Sequence, residues 1–315
     1  EITPQDKWIV IDEIQRLPDL LNEVHRLLEK KKIHFLLTGS SARKLRRTGV
    51  NLLGGRARTK FLHPLSAGEL GNRFDLNRAL SKGLIPSIYL SADPRADLEA
   101  YTGTYLKEEI MAEGNVRNLP AFSRFLQVAA LCNASVVNFT NVANDAQVKR
   151  TTVYEYFEIL RDTLLLRELP AWREGRSRKP RVSSKYYFFD TGVVHSLQGR
   201  DVHPATPEFG SAFETYLLHE LTCCRDYRGL PPLSFWNSAS GLEVDFLIGD
   251  QIALEAKAKT NVAPRDLRSL HAIKEEGVFR RRICVSLEPR PRKVDGIEIL
   301  PLSEFLKALW SGDFS

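Results

Sequence analysis

The sequence predicts an α/β protein of several domains, and three features carry that prediction. Two apolar runs, Trp8-Ile9-Val10-Ile11 and His34-Phe35-Leu36-Leu37, are separated by one helix length. A long, mostly helical middle follows. Near the C-terminus, two alternating segments flank Gly249-Asp250-Gln251 and read as a β-hairpin. At 315 residues the chain is long enough for two or three domains. Its 43% hydrophobic and 27% charged content is that of an ordinary globular protein, not a disordered one.

Continuous apolar strands are what a parallel sheet buried on both faces demands. Between the first two, Leu20, Leu21, Val24, Leu27 and Leu28 recur at helical spacing, with Asp19 near the start and Lys30-Lys31-Lys32 at the end, as the helix dipole prefers. Strand, helix, strand is one crossover unit of a parallel sheet, and ligands bind at the carboxyl ends of such strands. There the first run ends in Asp12-Glu13 and the second in Thr38-Gly39-Ser40-Ser41, which is half of a nucleotide-hydrolysing site. The other half, a phosphate loop G-x-x-x-x-G-K-[ST], is not present: the sequence contains no Gly-Lys dipeptide, and it opens at Glu1 where that half is expected to have passed. The chain as it stands is expected not to hydrolyse ATP appreciably.

No apolar run approaches the length of a membrane span, and no charged-then-apolar leader opens the chain; a cytoplasmic protein without a membrane partner is expected. Cys132, Cys223, Cys224 and Cys284 fit no zinc spacing and read as buried reduced thiols. The net charge of +6 is concentrated in Arg173 to Lys185, Arg280-Arg281-Arg282 and Arg290 to Lys293. Such clusters suit a polyanionic partner or form a solvated basic face. If Arg173, Arg176, Arg178, Lys179 and Arg181 form a basic wing, they are the candidate nucleic-acid contacts.

In the middle, Leu119-Pro120 marks a helix start, and Phe122, Phe125, Leu126, Ala129 and Ala130 form its stripe. Asn138–Ala143 is followed by a turn near Ala146 to Val148. A second helix then carries Val153, Tyr156, Phe157 and Leu160, with Thr151 or Thr152 as its cap. With Leu164–Leu169 as a strand, the pattern reads as a winged helix-turn-helix or as a helical lid with no nucleic-acid role.

The hairpin register follows from burial. A three-residue loop at Gly249–Gln251 pairs Ile248 with Ile252, Phe246 with Leu254 and Val244 with Ala256, making one face wholly apolar; a one-residue slip would expose it. The opposite face sets Asp245 across from Glu255 and Glu243 across from Lys257. Opposed carboxylates repel, and Mg²⁺ or Mn²⁺ between them removes the repulsion. Lys257 lies on the same face as Glu255, ready to stabilise developing phosphate charge. Glu214 shares a helical face with Leu217, Leu218 and Leu221, where a lone carboxylate is costly unless it is paired or metal-bound. The bland alternative is an exposed face with a Glu243–Lys257 pair and solvated acids.

These residues together resemble the bacterial and archaeal AAA-superfamily ATPases that carry a C-terminal domain of unknown function with a restriction-endonuclease-like fold. The resemblance rests on Ile11-Asp12-Glu13-Ile14-Gln15-Arg16-Leu17-Pro18, Leu37-Thr38-Gly39-Ser40-Ser41, Leu53-Gly54-Gly55-Arg56-Ala57, Tyr187-Phe188-Phe189-Asp190-Thr191-Gly192, Phe213-Glu214, Glu243-Val244-Asp245-Phe246 and Glu255-Ala256-Lys257. It implies a partial P-loop NTPase sheet over residues 1–92, a helical and winged-helix region over 93–184, and a restriction-endonuclease-like α/β domain over 185–315. It implies ATP with Mg²⁺ as cofactors, Asp12 holding the ion through water, Glu13 activating the attacking water, Thr38 or Ser40 sensing the terminal phosphate, and Arg56 as a candidate arginine finger. Asp245, Glu255 and Lys257 match the nuclease-like motif, with Glu214 as the helix acid and Mg²⁺ or Mn²⁺ as the ion. DNA and further copies of the chain are the implied partners. The sequence departs from the pattern in its absent phosphate loop and at Asn237-Ser238, where a basic residue is expected. Three readings follow: an ATPase coupled to a nuclease, a binding module that keeps its acids without cutting, and a folded chain with a degenerate ATPase.

Overall fold

The computed structural model describes residues 8–31, 33–40, 57–106, 108, 110, 116, 118–172, 184–238 and 240–314. Arg56, Arg173, Arg176, Arg178, Lys179 and Arg181 lie outside the described residues.

The N-terminal crossover forms as expected. Strands β1 (Trp8–Ile11) and β2 (His34–Leu37) pair in parallel, Trp8 against His34 and Ile11 against Leu37, with the helix Leu20–Lys31 between them. Leu21, Val24 and Leu27 form its buried stripe. The expectation of burial on both faces is corrected: Trp8, Val10 and Leu36 are exposed, so among the described residues only one side of this small sheet is covered. The expected alternation of strand and helix through residue 92 also stops early, since the elements from 65 to 92 are helices: Ala67–Leu70, Leu76–Lys82 and Pro86–Tyr89.

From residue 118 the middle holds the helices Leu119–Leu131, Phe139–Ala146 and Arg150–Asp162 and, with the strand Lys185–Phe188, a three-stranded antiparallel sheet. Its strands are β3 (Ser135–Val136), β4 (Leu166–Leu169) and β5 (Lys185–Phe188), with β5 central. Asn118 and Asn138 accept backbone N–H groups at the starts of the first two helices. The expected cap at Thr151 or Thr152 is not used. That helix begins at Arg150 after Lys149, because the left-handed turn at Gln147 (φ 55°) brings the chain into the helix before either threonine. Phe122, Phe125, Phe157 and Leu160 pack the core of this unit. β5 pairs along its whole length with β4, so the expected boundary at 184/185 falls between two hydrogen-bonded strands.

The C-terminal sheet has six strands: β6 (Leu233–Asn237), β7 (Glu243–Ile248), β8 (Ile252–Lys257), β9 (Arg281–Ser286), β10 (Arg292–Val294) and β11 (Ile297–Pro301). Their spatial order is β10-β11-β9-β8-β7-β6, with β9 parallel to both neighbours. One face packs on the long helix Glu208–Arg228, the helix Leu302–Ser311 and side chains from 70–89, through Phe213, Leu217, Phe246, Leu254 and Phe305. Leu247, Ala253, Cys284 and Leu270 fill the other face. Covering both faces explains why β7 and β8 are almost wholly buried.

The three-residue hairpin loop forms as read, with Phe246 opposite Leu254 and Ile248 opposite Ile252. The ladder ends at Phe246, however, so the expected cross-strand pairs Val244–Ala256, Asp245–Glu255 and Glu243–Lys257 do not form. The Asp245 carboxylate itself accepts the Ala256 N–H at 2.8 Å, and Val244 packs with Trp236 and Leu247. In the two C-terminal basic clusters, Arg281 pairs with Glu298, Arg292 with Glu288, and buried Arg282 donates to the carbonyls of Leu270 and Asp295, while Arg280, Arg290 and Lys293 are exposed. Among the described cysteines, all four are free thiols, with Cys132 half-buried and the others buried.

Candidate functional site

Two sites emerge. In the first, the crossover brings together the residues expected to handle nucleotide. The Thr38 hydroxyl donates to the Asp12 carboxylate and accepts the Glu13 N–H at 3.2 Å. Backbone bonds Thr38 N–H to Ile11 O and Ile14 N–H to Thr38 O, each 3.0 Å, stitch the two strand ends together. Glu13 has φ 53°, a left-handed conformation that is costly for a residue with a side chain and that concentrates at functional sites. The Gln15 amide donates to Glu13 and, at 3.0 Å, to Ser40 Oγ. Buried Gln15 was not singled out as a site residue by the sequence; the signal lay in Gly39, where a Cβ would collide with the Gln15 amide oxygen. Asp12, Glu13, Thr38 and Ser40 are thus neighbours.

The second site lies at the C-terminal acids. Glu255 is 4% and Asp245 7% exposed, which removes the solvated-face alternative. The Glu243–Lys257 pair of that alternative is absent as well. Lys257 holds Glu255 at 2.5 Å, while Glu243 binds Lys185 at 2.5 Å. Lys185 comes from β5 of the middle sheet and is 2% exposed. Its ammonium also lies 3.1 Å from Glu214 and 3.9 Å from Asp245. Tyr187, two residues along the same strand, donates to Glu214 at 2.6 Å. Alternation on β5 thus aims a cation and a hydroxyl at the helix acid. Lys185 was missed because β5 and the acids are far apart in sequence; its nearest signal was the alternation Lys185-Tyr186-Tyr187.

The electrostatics follow from burial. Burial and neighbouring Asp245 push Glu214 up to about 7 although Lys185 and Tyr187 act the other way. Burial and Asp245 push Glu255 up to about 8 against the pull of Lys257. Burial disfavours the Lys185 ammonium, but Glu214, Asp245 and Glu243 outweigh it and raise its affinity for the proton. Four acids meet two ammonium groups, so the cluster holds protons near neutral pH that a cation can displace. The donor set is all carboxylate oxygen, which suits Mg²⁺ or Mn²⁺, and Glu255 Oε2 is buried without a hydrogen-bond partner. Among the described residues no group of three or more His, Cys, Asp or Glu side chains is already arranged around a metal position; the Lys185 ammonium sits between Glu214, Glu243 and Asp245 instead.

Asp190, Thr191 and Gly192 join elements rather than form a site. Asp190 accepts the N–H of Leu84 at 2.6 Å and of Val193 at 3.1 Å, capping the helix Thr191–Gln198. Thr191 donates to Ala79 O at 2.6 Å, and Gly192 lies where a Cβ would strike the Lys82 carbonyl.

Among the described residues, no helix is long and apolar enough to cross a membrane. The chain is 26% identical over 309 residues to an uncharacterized protein of Mycobacterium tuberculosis and, equally, to one of Mycobacterium bovis; the match covers 95% of this chain and 69% of each relative. No solved structure matches the chain. Residues 73–203 match a domain of unknown function (DUF8612), and residues 209–305 match another (DUF4143). Residues 1–71, the stretch that carries Asp12, Glu13 and Thr38, match an AAA domain, an ATPase-like module of a kind that generally uses ATP and Mg²⁺.

Proposed function

We propose that this chain is an AAA-type nucleotide-binding module without the phosphate loop, joined through a winged-helix-like middle to a restriction-endonuclease-like domain that acts on DNA. The observation that carries the reading is the group of buried Asp245 and Glu255 with half-buried Glu214 and Lys257 at one end of a mixed sheet whose two faces are covered. Helix, short strand, two helices and a β4–β5 pair is the element order expected of a winged helix. Asp12, Glu13, Thr38, Ser40 and Arg56 are assigned to nucleotide, and Arg173, Arg176, Arg178, Lys179 and Arg181 to the DNA backbone. Further copies of the chain supply the oligomer, and the free thiols suit a cytoplasmic setting. The regions 1–92, 93–184 and 185–315 divide these roles.

In the nuclease-like site, Asp245 and Glu255, with Glu214, would hold Mg²⁺ or Mn²⁺, which supplies Lewis acidity toward a phosphodiester. Lys257 keeps Glu255 oriented and presents positive charge to the phosphate. The test is incubation with plasmid and single-stranded DNA in Mg²⁺ or Mn²⁺. Cutting by the parent but not by Asp245→Ala or Glu255→Ala supports the reading; equal traces in all three point to contamination and sink it. Lys185 favours a second reading, a binding module that keeps its acids and does not cut, because its ammonium already balances three of them. Salt-dependent DNA binding without cleavage identifies that case.

A further inference from the structure

We propose that the cleft between β4, residues 61–65 and the C-terminal half of the helix Glu208–Arg228 binds an amphiphilic anion, an oxyanion head carried on an apolar body. The cleft has a volume of about 910 Å³, within the range that takes a drug-sized molecule. Its walls include Phe61, Leu164, Leu218 and Leu233, and Arg167 on β4 reaches into its lining.

Arg167 is the group that selects an anion. Its guanidinium donates to His63 Nδ1 at 3.2 Å and to His219 Nδ1 at 3.5 Å. A guanidinium has no acceptor, so both imidazoles must present a bare Nδ1 and carry their proton on Nε2. The Nε2 groups then donate onward, His63 to Asp226 at 2.8 Å and His219 to Leu65 O at 3.1 Å. Both histidines are therefore neutral, in keeping with burial and Arg167 holding each below its ordinary value. Among the described residues no carboxylate reaches Arg167. Asp226 is engaged by Arg225 at 2.8 Å and by His63, Glu168 by Arg161 and Ser184, and Asp190 by backbone N–H groups. Burial keeps the nearby Cys223 a neutral thiol. Among the described residues, Asp226 and Asp190 act on this charge only from a distance, so the guanidinium has no directly contacting carboxylate, and a ligand head group supplies the contacting negative charge. Carboxylate and phosphate heads share this chemistry. The site uses none of the nucleotide or acid-cluster residues, so its fate is independent of the function proposed above.

The test is calorimetric titration of the full chain with octanoate, octyl phosphate and octanol. At least one anion should bind tenfold or more tightly than octanol, and the tighter one identifies the head group. Arg167→Met should bring the anions to within about twofold of octanol, with circular dichroism checking its fold. Leu164→Glu, at an exposed position on the rim, should weaken the anions more than it weakens octanol. Equal binding of octanol, no binding by any probe, or an anion preference that survives both substitutions would overturn the proposal.

Discussion

Replacing Lys185 by methionine keeps much of the side-chain volume and removes the one ammonium that touches Glu214, Glu243 and Asp245. Removing one partner of a buried ion pair costs about 3–5 kcal/mol, because the remaining charge is left uncompensated. Here protonation limits the loss. For Glu214, held at about 7 against 4.5 for an ordinary glutamate, ionisation inside the fold already carries a penalty of about 3 kcal/mol. The sign is definite. A carboxyl with a raised folded value binds more protons folded than unfolded between about 4.5 and 7 or 8, so stability falls as pH rises through that window. Lys185 itself stays charged there. Without it the acids hold their protons more tightly still, and the fall steepens. Lys185→Met should therefore cost about 3 kcal/mol at pH 8.5 and only about 1 kcal/mol at pH 5.5, where Glu214 and Glu255 are already mostly neutral. Urea unfolding followed by tryptophan fluorescence at the two pH values measures both. A loss below about 1 kcal/mol at pH 8.5, or an equal loss at both, would refute the account of Lys185 as the cluster's counter-charge.

The remaining expectations concern single contacts. Millimolar Mg²⁺ should raise the melting temperature of Lys185→Met more than that of the parent, since a cation replaces the lost ammonium; no difference by scanning calorimetry counts against a cation at these acids. Asp190→Ala strands the buried Leu84 N–H and uncaps the helix Thr191–Gln198, and should cost about 2–3 kcal/mol in urea unfolding. Gly192→Ala sets a methyl against the backbone carbonyl of Lys82, which cannot rotate away, and should cost about 1–3 kcal/mol in the same assay. Thr38→Val leaves the Glu13 amide without its acceptor, and its hydrogen exchange should speed up about fivefold, the equivalent of about 1 kcal/mol.

Local pattern settled a good deal of this protein. The crossover of β1, helix and β2 followed from two apolar runs a helix apart, and Asp12 meets Thr38 because parallel pairing aligns the strand ends. The three-residue hairpin loop followed from alternation, because a one-residue slip moves every side chain to the other face. Glu214 was legible as an inward acid because helical spacing sets it with Leu217, Leu218 and Leu221.

Tertiary structure decided what the acids contact. Period two put Asp245 opposite Glu255, but the fold breaks the ladder there and gives Asp245 the Ala256 N–H. Charge compensation is non-local: Lys185 comes from another sheet, and Arg167 meets His63 and His219 from two further segments. Sequence determined which residues had to be buried and in what register, since periodicity is a property of the local chain. Only packing fixed which charge would neutralise which, because electrostatic partners are chosen by distance in space, and spacing along the chain carries no record of it.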